Sequence, residues 1–148
     1  MMHLITEQVE DVRLVLEESA GKKNLFIEGI FLQADIKNKN GRIYPKNVLQ
    51  KEVGRYMKES VARGNAFGEL GHPAGPTINP DRISHLITDL REDGSNYIGR
   101  AKIMSTPMGQ IVRSIMEDGG KLAVSSRGVG SLKSNGGAME VREDFMLS

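Results

Sequence analysis

The sequence predicts an α+β fold, mainly an antiparallel β-barrel with helices packed around it. Three observations carry that prediction. Segments 46–62 and 107–118 place apolar residues at helical spacing, with a proline at the entrance and glycine beyond the end. Two polar turns, Glu92-Asp93-Gly94-Ser95 and Ser134-Asn135-Gly136-Gly137, separate β-forming runs at hairpin spacing. The 148 residues, 39% of them hydrophobic, suffice for one domain with a single modest core.

Taken in order, residues 1–21 are ambiguous. Val9, Val12 and Leu16 suit a helix, whereas Val12, Leu14 and Leu16 alternate as a strand would. Residues 19–24 read as a turn. Residues 25–34 read as a buried strand, rich in β-formers (Phe26, Ile27, Ile30, Phe31, Leu32). Residues 37–42 form a loop with an Asn40-Gly41 turn signal. Pro45 then opens the first helix, whose apolar face is Val48, Leu49, Val53, Tyr56, Met57 and Val61. Residues 65–70 read as a short strand and 71–80 as a loop with three prolines.

Ile83, Leu86, Ile87 and Leu90 fit a helix by period. The hairpin turn that follows and the β-forming run 97–103 make 83–91 a strand instead. Thr106 is an N-cap before Pro107, and Ile111, Val112, Ile115 and Met116 form the stripe of the second helix. Residues 121–132 read as a strand interrupted by Gly128 and Gly130, and 138–148 as a last strand. The sum is six or seven strands and two helices. The chain stops on Phe145-Met146-Leu147-Ser148, inside an apparent strand, so truncation or processing at that end is expected.

Composition narrows the function. Twenty Lys and Arg against 19 Asp and Glu leave a charge of +1, which gives no reason to expect a nucleic-acid partner or an anionic membrane. Zero Cys excludes disulfides, a thiol nucleophile and Cys-based zinc sites. No apolar run approaches the length of a membrane span, and residues 1–10 do not read as a signal peptide. Of 17 glycines, four lie in 64–75 and six in 119–137. Glycine serves where backbone turns sharply or approaches something closely, so these stretches are the candidate sites.

Three histidines are available. His3 reads as solvated, and His85, inside the 83–91 strand, as structural. His72 sits in Gly68-Glu69-Leu70-Gly71-His72-Pro73, where glycine removes steric cover and proline fixes the backbone. The other stretch is Val124-Ser125-Ser126-Arg127-Gly128-Val129-Gly130-Ser131. A serine becomes a nucleophile when a base takes its proton, and histidine is the usual base. A bulged strand with a polar face is the bland reading, and a phosphate-binding reading is also open, because Ser, Arg and Gly suit oxyanions. Neither a Walker loop nor a Gly-x-Ser-x-Gly elbow is present. A metal site from Glu69, His72 and His85 is disfavoured, because Glu69 and His72 would align only on a helix.

These segments resemble the prohead core proteases of T-even-type tailed phages, relatives in fold of the herpesvirus maturation proteases (assemblins). The similarity runs from about Leu25 to the end. It rests on Phe26-Ile27-Glu28-Gly29-Ile30-Phe31, on Asn40-Gly41-Arg42-Ile43-Tyr44-Pro45, and on the histidine and serine segments, all in the right order. The resemblance implies a herpesvirus-protease-like fold over 25–148, with 1–24 as an N-terminal segment, mobile or self-processed. It implies a serine endopeptidase inside the immature capsid, within the bacterial host cytoplasm. Its substrates would be phage scaffold and capsid proteins, and it would need no cofactor or metal. Herpesvirus relatives dimerise, so a homo-oligomer is open.

By motif, His72 is the general base and Ser125 the nucleophile, with Ser126 on the opposite face of the strand. Arg127 and Gly128 are the candidates for oxyanion stabilisation. The herpesvirus enzymes use a second histidine after the serine, and none follows Ser125. The third member is therefore open among Glu69, Glu140, Glu143, Asp144 or a residue beyond Ser148. The family cuts after glutamate in Leu/Ile-x-Glu contexts. Ile5-Thr6-Glu7, Leu16-Glu17-Glu18, Leu90-Arg91-Glu92 and Ile115-Met116-Glu117 fit that pattern. The first two predict self-cleavage, with new N-termini at Gln8 and Ser19. A glutamate pocket needs a cation, for which Arg100, Lys102, Arg127 and Lys133 are candidates. The alternative is a catalytically silent barrel acting as a capsid or tail-tube assembly module.

Overall fold

The computed structural model describes residues 2–9, 12–19, 21–71, 75 and 77–148. In chain order the strands are β1 (His3–Val9), β2 (Val12–Ser19), β3 (Lys22–Gln33), β4 (Arg42–Ile43), β5 (Phe67–Glu69), β6 (Ile83–Asp93), β7 (Asn96–Ile103), β8 (Val124–Gly130), β9 (Leu132–Asn135), β10 (Ala138–Val141) and β11 (Met146–Leu147). The helices are α1 (Lys46–Tyr56) and α2 (Pro107–Glu117). The class is α+β, mostly antiparallel. The predicted closed barrel is not formed. The strands make three sheets, ordered β2-β3-β7-β6-β5, β1-β8-β11 and β4-β10-β9. Among the described residues no ladder joins β2 back to β5, because β8 leaves the large sheet and pairs with β1 and β11.

Local chemistry explains the large sheet. On β3, Leu25 and Ile27 alternate inward, and a bulge between Ile30 and Leu32 lets Phe31 and Leu32 both face the core. The Phe31 ring packs against β7 at Gly99, where a Cβ would come within 1.9 Å of it. The run at 83–91 is a strand despite its helical period. Gly94 (φ +62°) closes the turn to β7, and pairing with β7 satisfies the backbone. The ambiguous N-terminal residues are also strands: β2 forms a hairpin with β3, and β1 pairs with β8 over seven positions.

Both helices cover this framework. Val48, Leu49, Val53 and Tyr56 bury the inner face of α1, which passes into a π-helical turn at Met57–Val61 rather than staying α-helical to residue 62. Thr106 caps α2, its hydroxyl accepting from Gly109 N at 3.1 Å. Among the described residues no helix is long and apolar enough to cross a membrane.

The expected last strand, 138–148, is two strands. A turn closed by Phe145 N donating to Arg142 O (3.1 Å) drives Phe145 into the core, edge-on to Tyr44 at 5.4 Å. The glycines that looked like interruptions of β8 make room for this ring. A Cβ at Gly128 would sit 2.4 Å from Phe145 Cε1. β11 then pairs with β8. Its outer edge meets side chains of α1: Leu147 N donates to Glu52 Oε2 (2.9 Å) and Arg55 donates to Leu147 O (3.0 Å).

Candidate functional site

The two glycine-rich stretches converge on one cavity of about 200 Å³. β8 lines it with Ser125, Ser126 and Arg127. β5 and the residues after it contribute Gly68, Glu69, Leu70 and Gly71. Register sets which way β8 presents its serines. Ser125 stands opposite Gln8 and Ser126 opposite Glu7, so the two side chains take opposite faces. The Ser126 hydroxyl is buried without a hydrogen bond to any described residue.

β5 ends where the chain turns toward His72. Leu70 N donates to Arg82 O at 3.1 Å, and the Arg82 guanidinium returns a bond to Leu70 O. Gly71 follows at φ +95°, a left-handed conformation that disfavours side chains, and a Cβ there would press on Arg82 at 2.8 Å. His72 itself lies outside the described residues, as do residues 73, 74 and 76.

Glu69 is the acidic side chain at the site. Its carboxylate is 2% exposed, accepts from Asn79 N, and lies 3.7 Å from the Arg127 guanidinium. Its second oxygen, Oε2, has no hydrogen bond among the described residues. Arg127 also donates to Gly75 O (3.2 Å). The remaining acidic candidates are committed elsewhere or point to solvent. Glu140 accepts from Asn135 (2.9 Å), Asp144 accepts from the backbone and hydroxyl of Ser131, and Glu143 is exposed.

His85 lines the same cavity. Its Nδ1 is 2.8 Å from the Ser84 hydroxyl, and burial pushes the imidazole down to about 4, so it is neutral near pH 7. Its ring packs on β5, where a Cβ at Gly68 would lie 1.9 Å from Nε2. Gly68 is thus explained by His85 packing. His3 is exposed on β1. Among the described residues no cluster of three His, Asp or Glu could hold a metal ion.

Of the four cations offered for a glutamate pocket, only Arg127 borders the cavity. Arg100 lies over the Phe26 ring (3.9 Å) and pairs with Glu17 and Glu28, while Lys102 and Lys133 are exposed. Sequence reasoning missed a second polar centre. The buried Glu7 carboxylate is caged by Asn40 Nδ2 (2.7 Å to Oε1), Tyr44 OH (2.7 Å to Oε2) and Arg42, which donates through Nε (2.6 Å to Oε2) and NH2 (3.1 Å to Oε1). Burial alone would raise the Glu7 pKa, but the bonds from Arg42, Asn40 and Tyr44 outweigh it and hold it below the ordinary value. The signal was the segment Asn40-Gly41-Arg42-Ile43-Tyr44-Pro45, which the resemblance quoted without giving it a task.

A protein-family model described as prohead core protein serine protease matches residues 6–148. The prohead core protein protease of Enterobacteria phage T4 is 38% identical over 130 residues, 86% of this chain; the chain spans 61% of that relative's length. The solved structure of the bacteriophage T4 capsid assembly protease, gp21, superposes with a TM-score of 0.90 at 34% identity, covering 99% of this chain and 94% of that one. The chain belongs to the prohead core protein serine protease family.

Proposed function

We propose that this chain is a serine endopeptidase of phage prohead maturation that cuts scaffold and capsid proteins after glutamate in Leu/Ile-x-Glu contexts. The observation that carries the reading is the family match together with the cavity onto which Ser125 and the end of β5 converge. In this reading His72 takes the Ser125 proton as Oγ attacks the scissile carbonyl. The proton passes to the leaving amine, and water then hydrolyses the acyl-enzyme. Glu69 is the third member, since of the four acidic candidates it alone lines the cavity, and its Oε2, ion-paired with Arg127 at 3.7 Å, takes no hydrogen bond from the described residues. The Arg127-Gly128 stretch serves the oxyanion by analogy with the herpesvirus enzymes, while the Arg127 side chain donates to Gly75 O. Self-processing within 1–24 belongs to the same reading, as does action inside the prohead.

Cleavage of a Leu-x-Glu peptide by Ser125→Ala, Ser126→Ala and His72→Gln tests it. Ser125→Ala and His72→Gln should each lose on the order of 10⁶-fold in kcat, while Ser126→Ala and His85→Gln keep most activity. Equal activity of Ser125→Ala and the parent refutes the nucleophile. A parent that cuts neither the peptide nor itself leaves the assembly-module reading.

A further inference from the structure

The Glu7 cage is built like a recognition site. Its three donors come from one short segment, braced without help from β1. Asn38 Oδ1 accepts from Asn40 N and Arg42 N (both 3.0 Å), Gly41 N donates to Asn38 O (2.9 Å), and Tyr44 packs on Phe145. β1 enters that frame as a ligand would. Glu7 offers the carboxylate, Ile5 is 2% exposed in the core, and Thr6 is held through its backbone, its carbonyl accepting from Arg42 NH2 at 2.7 Å. The structure therefore reads an apolar residue at position 5, a peptide group at 6 and a glutamate at 7.

The location matters as much. Gln8 pairs with Ser125 and Glu7 with Ser126, so the Glu7–Gln8 peptide lies directly across from the Ser125–Ser126 peptide, about 5 Å away as in any antiparallel pair. The chain's other Leu/Ile-x-Glu sequences are not held this way. Glu92 and Glu117 are exposed, and Leu16 is 53% exposed.

We propose that Asn40, Arg42 and Tyr44 form the pocket that recognises the glutamate of an extended apolar-x-Glu peptide. Such a peptide pairs with β8 in the place that β1 takes here, and β1 is a cis-bound occupant that must leave before a substrate in trans can enter. This rests on the protease reading for its substrate class. It assigns glutamate recognition to Arg42 rather than to Arg127, whose guanidinium already faces Glu69. Main-chain pairing supplies affinity and the two side-chain pockets supply selectivity, the mode of strand addition to a sheet edge.

The test uses the Ser125→Ala chain, so that binding is read without turnover, and two labelled peptides ending in Ile-Thr-Glu-Gln and Ile-Thr-Gln-Gln. Fluorescence anisotropy should show weak binding while β1 is in place. Adding Ile5→Ala and Glu7→Ala should tighten the glutamate peptide at least tenfold and favour it at least tenfold over the glutamine peptide. A further Arg42→Gln should erase that preference. Where the Ile5/Glu7 variant does not fold alone, the glutamate peptide should restore its cooperative melting transition and the glutamine peptide should not. A folded variant that binds neither peptide more tightly than the Ser125→Ala chain overturns the proposal. Equal binding of the two peptides, or an unfolded variant that neither rescues, does so too. The protease reading stands or falls separately, on cleavage by the parent.

Discussion

The strand that carries Ser125 is gripped in different ways on its two sides. β11 is held by its backbone: Glu52 takes the Leu147 N–H and Arg55 gives to the Leu147 carbonyl, both from α1. β1 is held chiefly by a side chain: Glu7 reaches into donors on another segment, with one backbone contact at Thr6 O. The first grip is indifferent to which residue stands at 147 beyond its being apolar. The second depends on the carboxylate that stands at 7. A permanent neighbour of β8 needs only the first kind. The second kind is how a strand is chosen, which is why β1 reads as an occupant and β11 as part of the frame.

Breaking the permanent grip should cost most. Glu52 is 3% exposed and receives Leu147 N as well as three bonds from Arg55. Glu52→Ala leaves a buried N–H unpaired and takes three bonds from the partly buried Arg55 guanidinium, a loss of about 3–5 kcal/mol, toward the lower end because Arg55 keeps Glu59 at 2.9 Å and Leu147 O at 3.0 Å. Urea unfolding should show a lower midpoint at unchanged slope, since β11 belongs to the cooperative core. A changed slope, or protection lost only around 146–147, would make β11 as separable as β1 and erase the contrast.

Acid should act on the other grip. The Glu7 carboxyl titrates below its unfolded value, so its contribution is fully present above the ordinary carboxyl range, near 4.5, and is lost as pH falls through the lower folded value. Hydrogen exchange should show β1 and the β1-facing amides of β8 losing protection below about pH 4.5, before the five-stranded sheet does. Glu7→Gln should remove that pH step. Simultaneous loss of both sheets would mean that β1 does not detach as a unit.

How much of this was legible follows how local the determinants are. The start of α2 needed only Thr106, Pro107 and a four-residue stripe, all adjacent in sequence. β6 has helical period, and only its hairpin partner revealed it. The barrel failed because closure depends on which distant strand takes the edge of β8, and nothing near Gly128 or Gly130 announces that Phe145 fills their space. At the site, glycine enrichment pointed to two stretches that do meet. Arg42 was passed over because its partner is 35 residues away in a segment with ambiguous periodicity, and no local pattern encodes a pair that distant.

The smallest expected effect probes how the cage shares its work. Tyr44 OH gives one of two bonds to Glu7 Oε2, and burial beside that carboxylate keeps the phenol protonated by pushing its pKa far up. Tyr44→Phe removes the hydroxyl but keeps the ring against Phe145, and Arg42 Nε still satisfies Oε2 at 2.6 Å. The loss should be about 1 kcal/mol, the usual net worth of one hydrogen bond whose acceptor stays paired. Arg42→Ala removes the counter-charge and both bidentate bonds, so it should cost about three times as much. Thermal melts of the two variants settle the ranking. If Tyr44→Phe costs as much as Arg42→Ala, the cage selects through its hydroxyl rather than its charge, and a neutral glutamine would fit it as well as glutamate.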